Sequence, residues 1–287
     1  MFANVRRVSA ERSVEVDTAE ARGEAPGRSR MEGRRVLVVG AGQQEYELKD
    51  PPIGNGRAMS VLFGREGASV AVADLNGDSA EATAELVRAE GATAEVIVAD
   101  AADERAAEAM FDSAKKELGG LDGVVMNLGI GAGLGIAGTS VEDWDRVMAV
   151  NLRSHFLGCK HGLAAMTEEG GAIVLLGSIA SREVMPFPAY ASSKAALEAL
   201  CRQAAVEGAP KVRTNALLPG LMDTSLGRLA SQISPLRDQV IIPAGRQGTA
   251  WEVAYGGLFL LSGESSYVTG QSLVVDGGLT VGPRVQA

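Results

Sequence analysis

The chain has 287 residues, 46% of them apolar and 22% charged, with a formal net charge of -9. This length and composition fit one α/β domain with a substantial core, and the acidic balance argues against a nucleic-acid surface or an anionic membrane partner. No apolar run reaches the ~18 residues of a membrane span, and Cys159 and Cys201 fall in helical patterns with no metal or disulfide spacing, so no metal site is expected.

In chain order, residues 1–33 are polar, mix Arg with Glu and Asp, and lack an apolar signal core. A disordered tail over 1–33 is expected, with the folded domain over 34–287, Met31 as an alternative start to Met1, and a cytoplasmic location. Apolar runs over 34–40, 68–74, 93–100, 121–127, 171–178, 212–220 and 271–278 read as strands. Helical patterns over 56–66, 79–90, 103–118, 141–166, 190–207 and 250–261 fall between them, and 221–248 reads as an irregular lid with helical pieces. Seven strands alternating with helices predict a single doubly wound α/β domain, a parallel seven-stranded sheet of Rossmann type.

Tyr190 and Lys194 stand four apart on one predicted helix and therefore on one face. A free phenol ionises near pH ~10, and a cation within about 4–6 Å lowers that value, so the pair can make a usable acid/base. Ser178 follows a strand-like run and precedes the loop to Tyr190. Its hydroxyl could bond the oxygen that Tyr190 protonates. Asn151 lies inside the long 141–166 helical pattern, an unfavourable place for Asn without a cap to make. The only two histidines, His155 and His161, sit near it in the same pattern and suit packing better than a hydrolase triad.

Asn151, Ser178, Tyr190 and Lys194 together resemble the catalytic tetrad of the short-chain dehydrogenase/reductase family, over about Arg34 to Gly278. The resemblance implies reversible hydride transfer between NAD(H) and an alcohol/ketone pair. Tyr190 is then the general acid/base, Ser178 orients the substrate oxygen, Lys194 tunes Tyr190 and holds the nicotinamide ribose, and Asn151 positions a water. Ser178 and Tyr190 are twelve apart where thirteen is common in the family.

The family's Gly-x-x-x-Gly-x-Gly turn is matched by Gly40, Gly54 and Gly56, followed by Arg57-Ala58, but residues 41–53 stand where three are expected. The inserted loop is placed at 43–52. Its acids, Glu45, Glu47 and Asp50, should point outward if a pyrophosphate is to sit at the turn. Asp74 ends the second strand, where a carboxylate accepts from a ribose and repels a 2′-phosphate, so NAD(H) is favoured over NADP(H), with Arg57 the counter-argument. By resemblance, Asp100-Ala101 contact adenine, Asn127 and Gly129 belong to the turn after strand four, and Pro219, Gly220, Met222 and Thr224 hold the nicotinamide carboxamide.

Candidate substrate-wall residues such as Ile130, Leu134, Met185, Phe187 and Leu226 are apolar, which points to a largely hydrophobic secondary alcohol or ketone. Two alternatives stand beside this reading: a 3-oxoacyl thioester reductase using NADPH, and a non-catalytic nucleotide-binding regulatory protein. The helices carrying Asn151 and Tyr190 have apolar faces (Phe156, Leu157, Leu163; Ala195, Leu197, Leu200), and family members pair such helices, so a homotetramer is expected.

Overall fold

Seven parallel strands in the order β3-β2-β1-β4-β5-β6-β9 form the central sheet. They are β1 (Arg35–Val39), β2 (Ser69–Asp74), β3 (Ala94–Val98), β4 (Gly123–Met126), β5 (Gly171–Leu176), β6 (Val212–Pro219) and β9 (Ser272–Val275). The computed structural model describes residues 18–282 apart from 167, 169, 234–236 and 238. The strand order runs outward in both directions from β1 and β4, so the chain reverses its winding between these two strands. In a doubly wound sheet the crevice for a ligand opens there, at the carboxyl ends of the strands.

Alternation along the strands divides the core. Val36, Val38, Val70 and Val72 face one side, where α2 (Asn55–Arg65), α3 (Gly77–Ala89) and α9 (Ala250–Leu261) pack. Leu37, Val39, Ala71 and Ala73 face the other side, against α4 (Glu104–Leu118), α6 (Ser154–Ala165) and α7 (Pro188–Gly208). Several helix ends are legible in the chain. The Asp103 side chain accepts from the Ala106 N–H to open α4, and Gly119 at φ 72 closes it. Thr249 and Glu252 form a reciprocal capping box that opens α9.

Three expectations are corrected. Residues 18–33 form an ordered arm rather than a tail, while 1–17 lie outside the described residues. The arm begins with α1 (Ala19–Arg22), and Ala21, Ala25 and Met31 are buried. Its polar composition conceals how it is held. The Arg65 guanidinium donates to the Gly23 and Ala25 carbonyls at 2.7 and 3.2 Å, and Thr249 Oγ1 donates to the Ala21 carbonyl at 2.7 Å. The buried Glu66 carboxylate accepts the backbone N–H groups of Arg28 and Arg30 and the Arg30 guanidinium.

Second, the single helix expected over 141–166 is three pieces: α5 (Val141–Met148), a π-helical turn Ala149–Arg153, and α6. Side-chain periodicity does not register one extra residue in a turn, and such bulges gather at functional sites. Third, the 221–248 segment contains a two-stranded parallel ladder, β7 (Met222–Asp223) with β8 (Gly248–Thr249), besides α8 (Ser225–Ile233). Two-residue strands leave no alternating pattern to read. No helix among the described residues is long and apolar enough to cross a membrane.

Candidate active site

The predicted residues gather at the carboxyl ends of the parallel strands. Gly40 follows β1, Asp74 ends β2, Asn127 follows β4, Ser178 follows β5 and Pro219 ends β6. Gly40 needs its glycine, because it adopts φ +77 and a Cβ there would lie 3.0 Å from the Asn127 carbonyl. Gly56 needs it more, because a Cβ would lie 2.1 Å from the Gly40 carbonyl and 2.6 Å from Asn127 Nδ2. Asn127 secures the same place by donating from Nδ2 to the Gly40 carbonyl at 2.7 Å. Asn127 is thus a support for the turn between β1 and α2.

The insertion does not spread this turn. Gln43 Oε1 accepts from the Gly54 N–H at 3.0 Å, bridging the two arms at their base. The Gln43 N–H donates to Ser79 Oγ at 2.6 Å, and the Gly42 N–H to Asp74 Oδ2 at 2.9 Å. Gly54 remains next to α2 as its N-cap, and Glu45, Glu47 and Asp50 are exposed, as expected for acids kept off the turn. On the far side the Pro52 carbonyl accepts from Ser225 Oγ and the Asp50 carbonyl from Arg228, so the insertion is tied to α8. No spacing or periodicity in the chain marks the parts played by Gln43, Ser225 and Arg228.

A dinucleotide pyrophosphate fits the turn: a Cβ on Gly54 would meet nothing nearer than 4.0 Å, so the entrance to α2 is open, and the first N–H groups of any helix lack intrahelical acceptors. Asp74 is partly exposed at the end of β2. Arg57 is committed elsewhere, with Nε on Thr83 Oγ1 at 2.9 Å and Nη2 toward the Ser79 carbonyl at 3.4 Å. Asp100 is exposed and holds the Ala102 N–H, and Ala101 is buried.

On the other side of the reversal, Asn151 lies fully buried in the π-helical turn. Its side chain clamps Ile130 twice, accepting from the N–H at 2.8 Å and donating to the carbonyl at 2.9 Å, and it also donates to Ser193 Oγ at 3.1 Å. The extra residue of the turn carries the amide from a helix interior to the β4 loop. Ser193, one residue before Lys194, was not foreseen as its partner. Lys194 Nζ donates to the Leu128 and Leu176 carbonyls at 2.9 and 2.8 Å, joining the ends of β4 and β5. Gly129 makes room for it, since a Cβ there would lie 3.2 Å from Nζ and 4.0 Å from Tyr190 Cε2.

Tyr190 and Lys194 do share one face, with Nζ 5.8 Å from the centre of the Tyr190 ring. The charge balance differs from expectation. Burial pushes the Tyr190 phenol up, opposed by its hydrogen bond with Ser178, and burial brings Lys194 down to about 7. The ammonium is turned to two carbonyls, so desolvation outweighs attraction between the pair. His155 is fully buried, with Nδ1 3.2 Å from Ser154 Oγ, and burial followed by the Lys194 charge holds its pKa well below the usual value. His161 lies against the Phe111 ring. Neither histidine has the surroundings of a hydrolytic base.

Beyond β6, a Cβ on Gly220 would collide with Asp276, Met222 and Thr224 are buried, and Thr224 Oγ1 accepts the Gly227 N–H. Leu134, Ile136, Val184 and Leu226 are exposed apolar side chains on the β4–α5 loop, the β5–α7 loop and α8.

A family profile described as enoyl-(acyl carrier protein) reductase matches residues 53–280. The chain is similar to 3beta-hydroxysteroid dehydrogenase 1 of Eggerthella lenta, 34% identical over 267 residues, covering 89% of this chain and 97% of that one. It is also similar to 2-(S)-hydroxypropyl-CoM dehydrogenase 3 of Xanthobacter autotrophicus, 36% identical, covering 88% and 98%. Among solved structures, a putative short-chain dehydrogenase/reductase from Burkholderia xenovorans superimposes with a TM-score of 0.82 at 34% identity, covering 88% of this chain and 99% of that one.

Proposed function

The chain belongs to the short-chain dehydrogenase/reductase family, NAD(P)-dependent oxidoreductases acting on CH–OH groups, and from that premise we propose that it interconverts a hydrophobic secondary alcohol and its ketone with NAD(H). One observation carries the proposal: Ser178, Tyr190, Lys194 and Asn151 converge at the ends of β4 and β5 through the contacts of Lys194 and Asn151. The nicotinamide, when bound, supplies the hydride chemistry.

The chain's own residues handle the proton. Tyr190 Oη gives a proton to the substrate oxygen during reduction and takes it back during oxidation. Ser178 Oγ, bonded to Tyr190, orients that oxygen. Positioned proton transfer of this kind contributes about 10²–10⁴-fold. Lys194 anchors the wall beside Tyr190, and burial brings its pKa down to about 7. Asn151 fixes the Ile130 backbone opposite and forms the start of a proton relay to solvent. Gly40, Gly54 and Gly56 admit the pyrophosphate, Asp74 takes the adenosine ribose, Asp100 and Ala101 border the adenine, and Gly129, Pro219, Gly220, Met222 and Thr224 line the nicotinamide end.

Asp74 favours NAD(H), and the engagement of Arg57 with Thr83 and Ser79 leaves a 2′-phosphate without an obvious cation. The exposed apolar residues Leu134, Ile136, Val184 and Leu226 support a hydrophobic substrate. A homotetramer is proposed on the exposed Trp144, Phe156 and Val206, whereas Leu157 and Leu197 point into the protomer's own core. A monomer by light scattering would remove that part.

The test is a fluorescence titration with NADH and NADPH, then a screen of ketones and alcohols by nicotinamide absorbance. Tyr190→Phe should leave NADH binding intact and lower turnover at least 100-fold, within the range for lost acid–base catalysis. Full turnover in the variant refutes the role of Tyr190, and tighter binding of NADPH refutes the cofactor preference.

A further inference from the structure

Helix α7 carries a third ionisable residue on the stripe of Tyr190 and Lys194. Glu198 is four residues beyond Lys194 and eight beyond Tyr190, so the phenol, ammonium and carboxylate succeed one another along one side of the helix. The two charged groups grip the chain on either side of Ser178. Upstream, Lys194 Nζ holds the carbonyl of Leu176, the last residue of β5. Downstream, the chain from Ser178 forms a short 3₁₀ turn, Ile179–Ser181, in which the Ser181 N–H donates to the Ser178 carbonyl at 3.1 Å. Glu198 seizes that turn: Oε1 accepts from Ser181 Oγ at 2.6 Å, and Oε2 accepts from Arg182 Nη2 at 2.7 Å. Ser272 Oγ, from β9, donates to Oε2 at 2.9 Å. The carboxylate thus joins the turn, the catalytic helix and the sheet edge at one point.

We infer that Glu198 is a positioning residue for the reaction, fixing the Ser178 hydroxyl against Tyr190 from the downstream side as Lys194 fixes it from the upstream side. The need for such a fixed point is local. The loop leaving the turn is short, twelve residues from Ser178 to Tyr190, and Val184 within it is fully exposed. Burial of Ile179 and Ala180 seats the inner side of the turn, and the carboxylate fixes its outer end at Ser181 and Arg182. The Glu198 carboxyl is held down to about 2, first by Arg182 and then, against burial, by Ser181 and Ser272. It stays ionised wherever the enzyme can be assayed, so the anchor is permanent and contributes no pH dependence of its own.

This inference rests on reading Ser178 and Tyr190 as the proton-transfer pair, and the test separates the two. Turnover, NADH affinity and thermal unfolding are measured for Ser178→Ala, Glu198→Ala, Glu198→Gln and the double variant Ser178→Ala/Glu198→Ala, with the ketone found in the screen. Displacing a reacting group by about 1 Å costs on the order of 100-fold. Glu198→Ala should lower kcat about 10- to 100-fold while the NADH Kd stays within about twofold. Glu198→Gln, which keeps an acceptor for Ser181, should recover a large part of the rate, and it serves if the Ala variant does not fold. Once Ser178 is Ala, adding Glu198→Ala should cost no more than about twofold, because the hydroxyl to be positioned is gone. Full losses that multiply in the double variant overturn the inference, as does an unchanged kcat in both Glu198 variants. Wild-type turnover in Ser178→Ala instead overturns the underlying reading of the site.

Discussion

Replacing Lys194 by Met should abolish turnover and also change how stability depends on pH. Lys194 is 2% exposed. It ionises at about 7 in the folded protein, against ~10.4 in the unfolded chain. The folded state therefore binds this proton less tightly. Below pH 7 both states carry it, and the cost of burying the ammonium is present in full. Between pH 7 and ~10.4 the unfolded chain holds more protons, so stability rises with pH, and above that window neither state is charged. A group with those two values costs about 4 kcal/mol at pH 7 and about 2 kcal/mol at pH 9. The Leu128 and Leu176 carbonyls accept hydrogen bonds that favour the ammonium and offset part of this. About 1–2 kcal/mol of differential stabilisation is expected between the two pH values.

Urea unfolding of wild type and Lys194→Met at pH 7 and pH 9 reads it directly. The change in stability with pH should be more positive for wild type than for the variant by that amount. Lost packing and orphaned carbonyls in the variant do not depend on pH, so they cancel in the comparison. Ionisation of unfolded Tyr and Cys contributes equally to both proteins and cancels too. Parallel behaviour, within about 0.5 kcal/mol, would show that Lys194 is not destabilised by its burial.

Three further outcomes follow. Gly56→Ala places a methyl 2.1 Å from the Gly40 carbonyl, so it should cost about 3 kcal/mol and remove NADH binding; retained binding by fluorescence titration contradicts the tight turn. Asn151→Ala orphans the part-buried Ile130 N–H and carbonyl, a loss of about 2 kcal/mol in chemical denaturation, with reduced kcat; an unchanged denaturation midpoint would contradict the clamp. Glu66 sits below the usual carboxylate range because Arg30 and two backbone N–H groups outweigh its burial. Its contribution is therefore present above pH ~4.5 and lost as pH falls. Glu66→Gln should cost about 3 kcal/mol at pH 7 and expose the 18–33 arm to limited proteolysis, and an arm as resistant as wild type refutes the anchoring.

The strands, the helices around them and the cluster at their carboxyl ends were legible because each leaves a repeating mark. Period-two apolar residues place Val36 and Leu37 on opposite faces, and four-residue spacing places Tyr190 beside Lys194. What escaped was set by single contacts. The arm over 18–33 reads as polar chain, yet it is secured through its carbonyls to Arg65 and through its N–H groups to Glu66. The π-helical turn at Asn151 shifts one residue without disturbing the run of apolar positions, although a polar amide inside a helix was its trace. The direction of the Tyr190 shift could not be read from spacing, because spacing fixes which groups are neighbours and not how dry they are.

The insertion shows how a motif survives interruption. Ten extra residues between Gly40 and Gly54 would be expected to let the two halves of the turn drift, since a flexible loop constrains its ends weakly. Here the excursion is closed at its base by the Gln43 amide on the Gly54 N–H, and Ser79 and Asp74 fix the near arm to the start of α3 and the end of β2. The loop therefore begins after the phosphate turn has been set and returns before α2 starts. Its returning arm is held by Ser225 and Arg228 through the Pro52 and Asp50 carbonyls. Substitutions of the loop's own side chains leave those two acceptors in place. Closure at the neck by the Gln43 amide keeps Gly54 and Gly56 beside Gly40 across a gap of this length.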